Sequence, residues 1–165
     1  MNKQQLETAF TWFHEKPGRI TALRGVNFIS TYGTAAVFAE TCAELALRRD
    51  PAALRLALTC GVPFLALSAV RAALDVPRPY EVYGMEPLIP KDTRGRSFPS
   101  RHVFSICVIG TSLMYLRPAL GAALLVLAAL LAAARIVSGL HFAQDVLAGA
   151  FFGVLSAVVG FGVVP

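Results

Sequence analysis

The chain has 165 residues, which is the size of one domain. Its hydrophobic share is 56% and its mean hydropathy +0.61, more apolar than a soluble domain of this length, so the expected solvent is a lipid bilayer. The net charge of +5 would suit nucleic acid in a soluble protein, but here the basic residues flank apolar spans, which points to lipid phosphate headgroups and away from nucleic acid.

Residues 1–18 open the chain with Leu6, Phe10 and Phe13 at i, i+4 and i+7, and Pro17-Gly18 closes the pattern. The spacing predicts an amphipathic helix lying in the membrane interface, with a short helix packed on the rest of the protein as the plainer alternative. The stretch lacks the uninterrupted apolar core of a signal peptide. Two apolar spans follow, over 25–47 and 52–74, separated by Arg48-Arg49-Asp50-Pro51. Each has about the 20 residues that a bilayer core requires. Glu40 and Glu44 stand on successive turns of the first span; pairing with Arg48 or Arg55, or snorkelling to the interface, accounts for them without a functional role. Cys42, Cys60 and Cys107 lie in apolar stretches at no metal-binding spacing.

Residues 75–101 form a polar loop with five prolines and the cations Lys91, Arg94 and Arg96. A loop of that length is expected to be functional. Three more spans are predicted over 102–116, 119–134 and 142–164, the first two joined by Arg117-Pro118. Gly149 and Gly153 carry the small-xxx-small spacing that lets helices approach closely. The expected fold is therefore all-α: one membrane-embedded domain over 1–165, a polytopic bundle of about five transmembrane helices plus the N-terminal interfacial helix.

Counting spans puts the 75–101 loop and the 135–141 connection on the same membrane face. Three polar clusters then share that face. Arg71 and Arg78 stand near the end of the second span, with prolines stiffening the backbone around Arg78. Ser100 precedes an apolar helix as an N-cap, where free N–H groups favour an anion, and His102 sits at that helix mouth, placed to protonate a leaving oxygen. If the last helix begins near Leu140, His141 and Asp145 fall one turn apart, and the carboxylate can fix the imidazole tautomer and leave a nucleophilic nitrogen free. Arg135 precedes the Gly139 break and presents a planar fork of donors. Taken singly, each cluster also reads as an interfacial anchor, a plain N-cap or a positive flank. Taken together they form the set that phosphoryl transfer requires: cationic clamps, a nucleophile and an acid for the leaving group. Metal binding is not expected, because the three histidines have no cysteine near them.

These residues resemble the signature of the type 2 phosphatidic acid phosphatase superfamily, K-x6-R-P, P-S-G-H and S-R-x5-H-x3-D. Arg71-x6-Arg78-Pro79 answers the first part, Pro99-Ser100-Arg101-His102 the second, and Ala134-Arg135-x5-His141-x3-Asp145 the third. The resemblance implies that His141 is the nucleophile of a phosphohistidine, that Asp145 orients it, and that His102 protonates the leaving group. It implies that Arg71, Arg78, Ser100 and Arg135 hold the phosphate with the backbone N–H of Arg101, without metal or cofactor. Three positions depart from the pattern: Arg71 stands for lysine, Arg101 for glycine and Ala134 for serine. Arginine at 101 is strained if the backbone there needs positive φ, and adds a cation if it is helical.

Small bacterial members of the family act on undecaprenyl diphosphate, phosphatidylglycerol phosphate or phosphatidic acid. The extra cations Lys91, Arg94, Arg96 and Arg101 suit a diphosphate, so the expectation is a polyprenyl diphosphate in a bacterial cytoplasmic membrane, with the site on the extracytoplasmic face. A lipid phosphotransferase, and a phospholipid-binding membrane protein without catalysis, are the alternatives.

Overall fold

The computed structural model describes residues 1–91 and 93–163, the side chain of residue 163 apart. Helix follows helix throughout: α1 (Lys3–His14), α2 (Pro17–Phe28), a π-helical turn (Ile29–Gly33), α3 (Thr34–Leu47), α4 (Ala52–Leu74), the short α5 (Pro79–Tyr83), α6 (Arg101–Leu116), α7 (Pro118–Val137), α8 (Ala143–Val158) and a final π-helical turn (Val159–Val163). No strand occurs among the described residues.

The pattern of exposure is that of a membrane bundle. Three stretches are long and apolar enough to cross a bilayer, Ala52–Tyr83, Pro118–Val137 and Ala143–Gly162, and α6 is apolar but shorter. Their outward faces carry large apolar side chains: Leu65, Val126 and Leu147 are 69%, 67% and 68% exposed. A soluble protein does not leave such faces to water; lipid covers them. Inward, α6 is the central helix, with Val103, Phe104, Ile106 and Leu113 almost wholly buried. Helices α4, α7 and α8 surround it.

Glycine sets the closest packing. A Cβ at Gly149 would lie 2.5 Å from the Ser100 carbonyl oxygen, and one at Gly153 would lie 2.7 Å from that of Phe104. The two glycines therefore let α8 lie backbone to backbone along the start of α6, the helix that carries His102. Across α6, Gly121 of α7 does the same against Gly110.

The N-terminus differs from a purely interfacial helix. Helix α1 is capped by Asn2, whose side chain accepts from the Gln5 N–H while Gln5 answers the Asn2 N–H. Leu6 and Phe10 are buried in a second apolar cluster with Leu23, Tyr80, Leu88 and Leu140. The plainer alternative therefore describes this face: the helix packs on the protein, under the turn that carries His141. Trp12 stays half-exposed and stacks with Arg19, 3.7 Å from the ring centroid. The 75–101 loop is also more ordered than a pure loop, because Pro79 starts α5 and Gly84, at φ +67°, ends it.

At the far end of the bundle, Arg117 bonds Glu40 at 2.9 Å and also meets Glu44. Glu44 in turn pairs with Arg48 at 2.7 Å. Both acidic residues of the first span are thus held in ion pairs across the α3 end and the α6–α7 turn.

Candidate active site

The site is built around a sharp turn at the end of α7. Gly139 has φ +74°, a conformation that favours glycine, and the Arg135 carbonyl accepts from the N–H groups of both Leu140 and His141. The chain folds back over Arg135 and brings His141 beside it. Helix α8 begins only at Ala143, so His141 lies in the turn and not on the helix, as a start near Leu140 would have had it. Asp145 still reaches the histidine, because its carboxylate caps the helix: Oδ2 accepts from the Phe142 N–H at 2.9 Å.

His141 is 2% exposed. Its Nδ1 faces Asp145 Oδ2 at 3.6 Å and Ser97 Oγ at 3.4 Å. Its Nε2 lies 3.5 Å from a guanidinium nitrogen of Arg78, which also donates to the Leu140 carbonyl at 3.0 Å. The two ring nitrogens are therefore distinguished: Nδ1 faces an acid and a hydroxyl, Nε2 faces a cation. Burial pushes the imidazole down to about 4, the positive charges of Arg78 and Arg135 add to the fall, and the Asp145 carboxylate opposes it. The ring is neutral at physiological pH, as a nucleophile must be.

Ser97 carries a contact that the motif reading does not contain. Its hydroxyl donates to Asp145 Oδ2 at 2.5 Å, across 48 residues of sequence, and the residue is wholly buried. The Ser100 N–H reaches the Asp145 backbone carbonyl at 2.8 Å. The 97–102 segment and the start of α8 are thus tied together at the carboxylate. In sequence, Ser97 is one of several polar residues in a loop, and nothing local marks it out.

The arginines divide into two kinds. Arg71 donates to the carbonyls of Ser97, Pro99 and Arg96, so it staples the loop that precedes His102. Arg78 is held on three sides, donating to the Gly95 carbonyl at 2.9 Å while its own N–H donates to Glu81 at 2.8 Å. Glu81 also accepts the Gly95 N–H at 3.0 Å, which closes the loop onto α5. Arg135 is 3% exposed and its Nε is buried with no hydrogen-bond partner among the described residues. Ser100 Oγ is in the same condition. Ser100 occupies the N-cap position of α6, but its side chain makes no capping bond. Buried polar groups without partners are costly, and here two of them belong to the residues expected to hold an anion. Arg101 begins α6 with no positive φ, so arginine there is unstrained and adds a cation.

A cavity of about 530 Å³ opens beside this cluster, with Ser97, Ser100 and Asp145 behind its wall and not on it. Arg71, Arg78, Arg101, Arg135, His102 and His141 line it. Lys91, Arg94 and Arg96 line it from the loop, and Asp75 is the one carboxylate on its described wall. Seven cations against one anion make this an anion site of high positive potential. Among the described residues, no three His, Cys, Asp or Glu side chains cluster as metal ligands do.

Residues 52–165 match the family model of the PAP2 superfamily, and the site residues named above all fall within that match. The chain belongs to the PAP2 superfamily. Membership supports phosphatase chemistry, and the three long apolar helices supply a membrane-embedded frame. Among solved structures, LpxE from Aquifex aeolicus aligns over 89% of this chain and 87% of its own, at 22% identity and a TM-score of 0.73. A transmembrane PAP2-type phosphatidylglycerolphosphate phosphatase from Bacillus subtilis aligns over 90% of this chain and 77% of its own, at 22% identity and a TM-score of 0.72. At those identities the likeness establishes the fold, an all-helical integral membrane protein. A search by sequence among curated proteins found no match.

Proposed function

We propose that this PAP2 protein removes phosphate from a membrane lipid through a phosphohistidine on His141. The observation that carries the reading is the convergence, on one cavity, of two histidines and seven cations drawn from α4, the 75–101 loop, α6, α7 and the turn before α8. In the first step the lone pair of His141 Nε2 forms a bond to phosphorus as the P–O bond to the leaving group breaks. The leaving oxygen takes the electron pair and a proton held by His102. Water then attacks the phosphorus, returns a proton to His102, and releases inorganic phosphate as the P–N bond breaks. Asp145 and Ser97 hold the Nδ1 side of the ring, so that Nε2 keeps its lone pair. Arg78 and Arg135 face the charge that grows on the phosphoryl oxygens.

The substrate reading follows from charge and from the apolar frame. Seven cations exceed what one phosphate dianion neutralises, which favours a diphosphate headgroup, and a polyprenyl diphosphate supplies one on a tail that stays in lipid. The donor set supports chemistry without a metal. The site is assigned to the extracytoplasmic face of a bacterial cytoplasmic membrane, with Arg48, Arg49 and Arg117 at the opposite, cytoplasmic end.

The test is phosphate release by purified protein in detergent with EDTA present, from undecaprenyl diphosphate and from phosphatidic acid, beside His141→Ala. Release by the wild type and background release by the variant are expected. Well-folded wild type that releases phosphate from neither lipid, or a variant as active as wild type, overturns the reading.

A further inference from the structure

His102 and Arg101 face a second space. A cavity of about 450 Å³ shares both residues with the polar one and extends from them into the bundle. Most of its wall is apolar, including Phe38, Phe64, Ile109 and Leu131. One side is not. Ser30, Thr31 and Thr34 line it, and their hydroxyl oxygens are buried with no hydrogen-bond partner among the described residues.

Thr111 in α6 shares that condition, while other helical hydroxyls are answered locally. Ser68, Ser105 and Ser156 each donate to the carbonyl one turn back in their helices, the default for a hydroxyl in an apolar helix. Ser30 and Thr31 lie in the π-helical turn, and Thr34 immediately follows it. Turns of this π-helical kind gather at functional sites. Three donors are left without an acceptor beside an apolar space. A ligand that enters with oxygen acceptors would satisfy them.

The cavity also has a sign. Arg101 is the one charged side chain on its described wall, and its guanidinium lies 5.5 Å from the Phe64 ring centroid. The arginine that stands where the family signature has glycine is therefore placed at the junction of the two cavities, with His102. No carboxylate lines the apolar one. Its complement is a group that is anionic next to His102 and apolar beyond.

We propose that this second cavity is the subsite for the leaving group of a diphosphate lipid. The phosphate to be transferred lies in the polar cavity against His141. The second phosphate lies at the junction, between Arg101 and the hydroxyls of the 30–34 segment, and the first part of the hydrocarbon tail runs on along Phe38 and Phe64. The bond broken is the bridging P–O bond on the side of the transferred phosphate: the bridging oxygen leaves with its electron pair on the lipid monophosphate and takes the proton of His102. A polyprenyl monophosphate in the same pose lays bare hydrocarbon against Arg101 and leaves the hydroxyls unsatisfied, and phosphatidic acid brings only neutral ester oxygens where the diphosphate brings an anion. The proposal rests on the phosphatase reading above and narrows its substrate.

Two measurements test it on the full-length protein in detergent. The first is the ratio of kcat/KM for undecaprenyl diphosphate to that for phosphatidic acid. Wild type is expected to favour the diphosphate by about tenfold or more, the scale of one hydrogen bond to a charged acceptor. Ser30→Ala with Thr31→Val, and separately Arg101→Ala, should lower that ratio by about tenfold or more. The second needs no variant. A prenyl methylenediphosphonate should inhibit wild type at least about tenfold more tightly than a monophosphonate on the same tail. A ratio near one in wild type, a ratio unmoved by the substitutions, or equal inhibition by the two phosphonates overturns the subsite. Release from phosphatidic acid that His141→Ala abolishes would then still uphold the phosphatase reading. No release from either lipid by folded wild type overturns both.

Discussion

Asp145 is held from two sides, by the Ser97 hydroxyl at 2.5 Å and the Phe142 N–H at 2.9 Å, while His141 Nδ1 stands at 3.6 Å. The carboxylate is thus fixed by its neighbours, and Ser97 Oγ lies within 3.4 Å of the same imidazole nitrogen. Ser97 is a positioning residue on this geometry. Ser97→Ala leaves a buried carboxylate oxygen short of a donor, a loss of about 1–3 kcal/mol, or roughly 5- to 150-fold if it appears in kcat. The expected result is a fall in kcat with KM little changed, and partial rescue by Ser97→Thr, which keeps the hydroxyl. NMR titration of the His141 imidazole is a second readout that a merely structural loss would not move. Its midpoint is expected near 4 in wild type, below the ordinary 6.5. Because the folded protein holds the ring neutral, stability linked to His141 is full above pH 6.5 and is lost as the pH falls toward about 4. Losing the hydroxyl that donates to Asp145 leaves that carboxylate freer to stabilise the imidazolium, so Ser97→Ala should move the midpoint up. A variant with wild-type kcat and midpoint would remove Ser97 from the mechanism.

Between elements, the contact that matters most is α6 against α8. Each contributes one side of the site, His102 from the start of α6 and Asp145 from the start of α8, and Gly149 and Gly153 set how near they come. Gly153→Val puts a branched side chain where even a Cβ would lie 2.7 Å from the Phe104 carbonyl oxygen. The backbones must part, at a cost of about 1–3 kcal/mol. Thermal unfolding in detergent should show a lowered Tm, and phosphate release should fall with it because the two ends of the site separate. An unchanged Tm would mean that the helices are not packed this closely. The small-xxx-small spacing was visible in the sequence, since it depends only on residue size and period. The start of α8 was not: His141 reads as the first turn of an apolar helix, and only the Gly139 turn and the Asp145 cap place it outside.

Across the whole molecule, the two ends of the bundle differ in kind. One end gathers the cationic cavity. The other closes its charges in pairs, with Glu44 between Arg48 and Arg117. The proposed orientation sets the cavity outside. Thr93, exposed beside the cavity, and Arg49, exposed at the opposite end, are positions for reading it. In intact cells Thr93→Cys should react with a membrane-impermeant thiol reagent, and Arg49→Cys only after permeabilisation. The reverse pattern would turn the protein over in its membrane.

The sequence by itself determined that the chain is helical and membrane-embedded, because apolar content and span length act residue by residue against a slab of fixed thickness. It also determined which motif residues share a face, because parity of crossings requires no packing detail. Only the tertiary structure decided that α1 packs under the His141 turn, that Arg71 bonds loop carbonyls, that Ser97 reaches Asp145, and that Ser30, Thr31 and Thr34 line a cavity open to His102. Each of these joins residues far apart in the chain, and a hydrogen bond is decided by tenths of an ångström that no periodicity encodes.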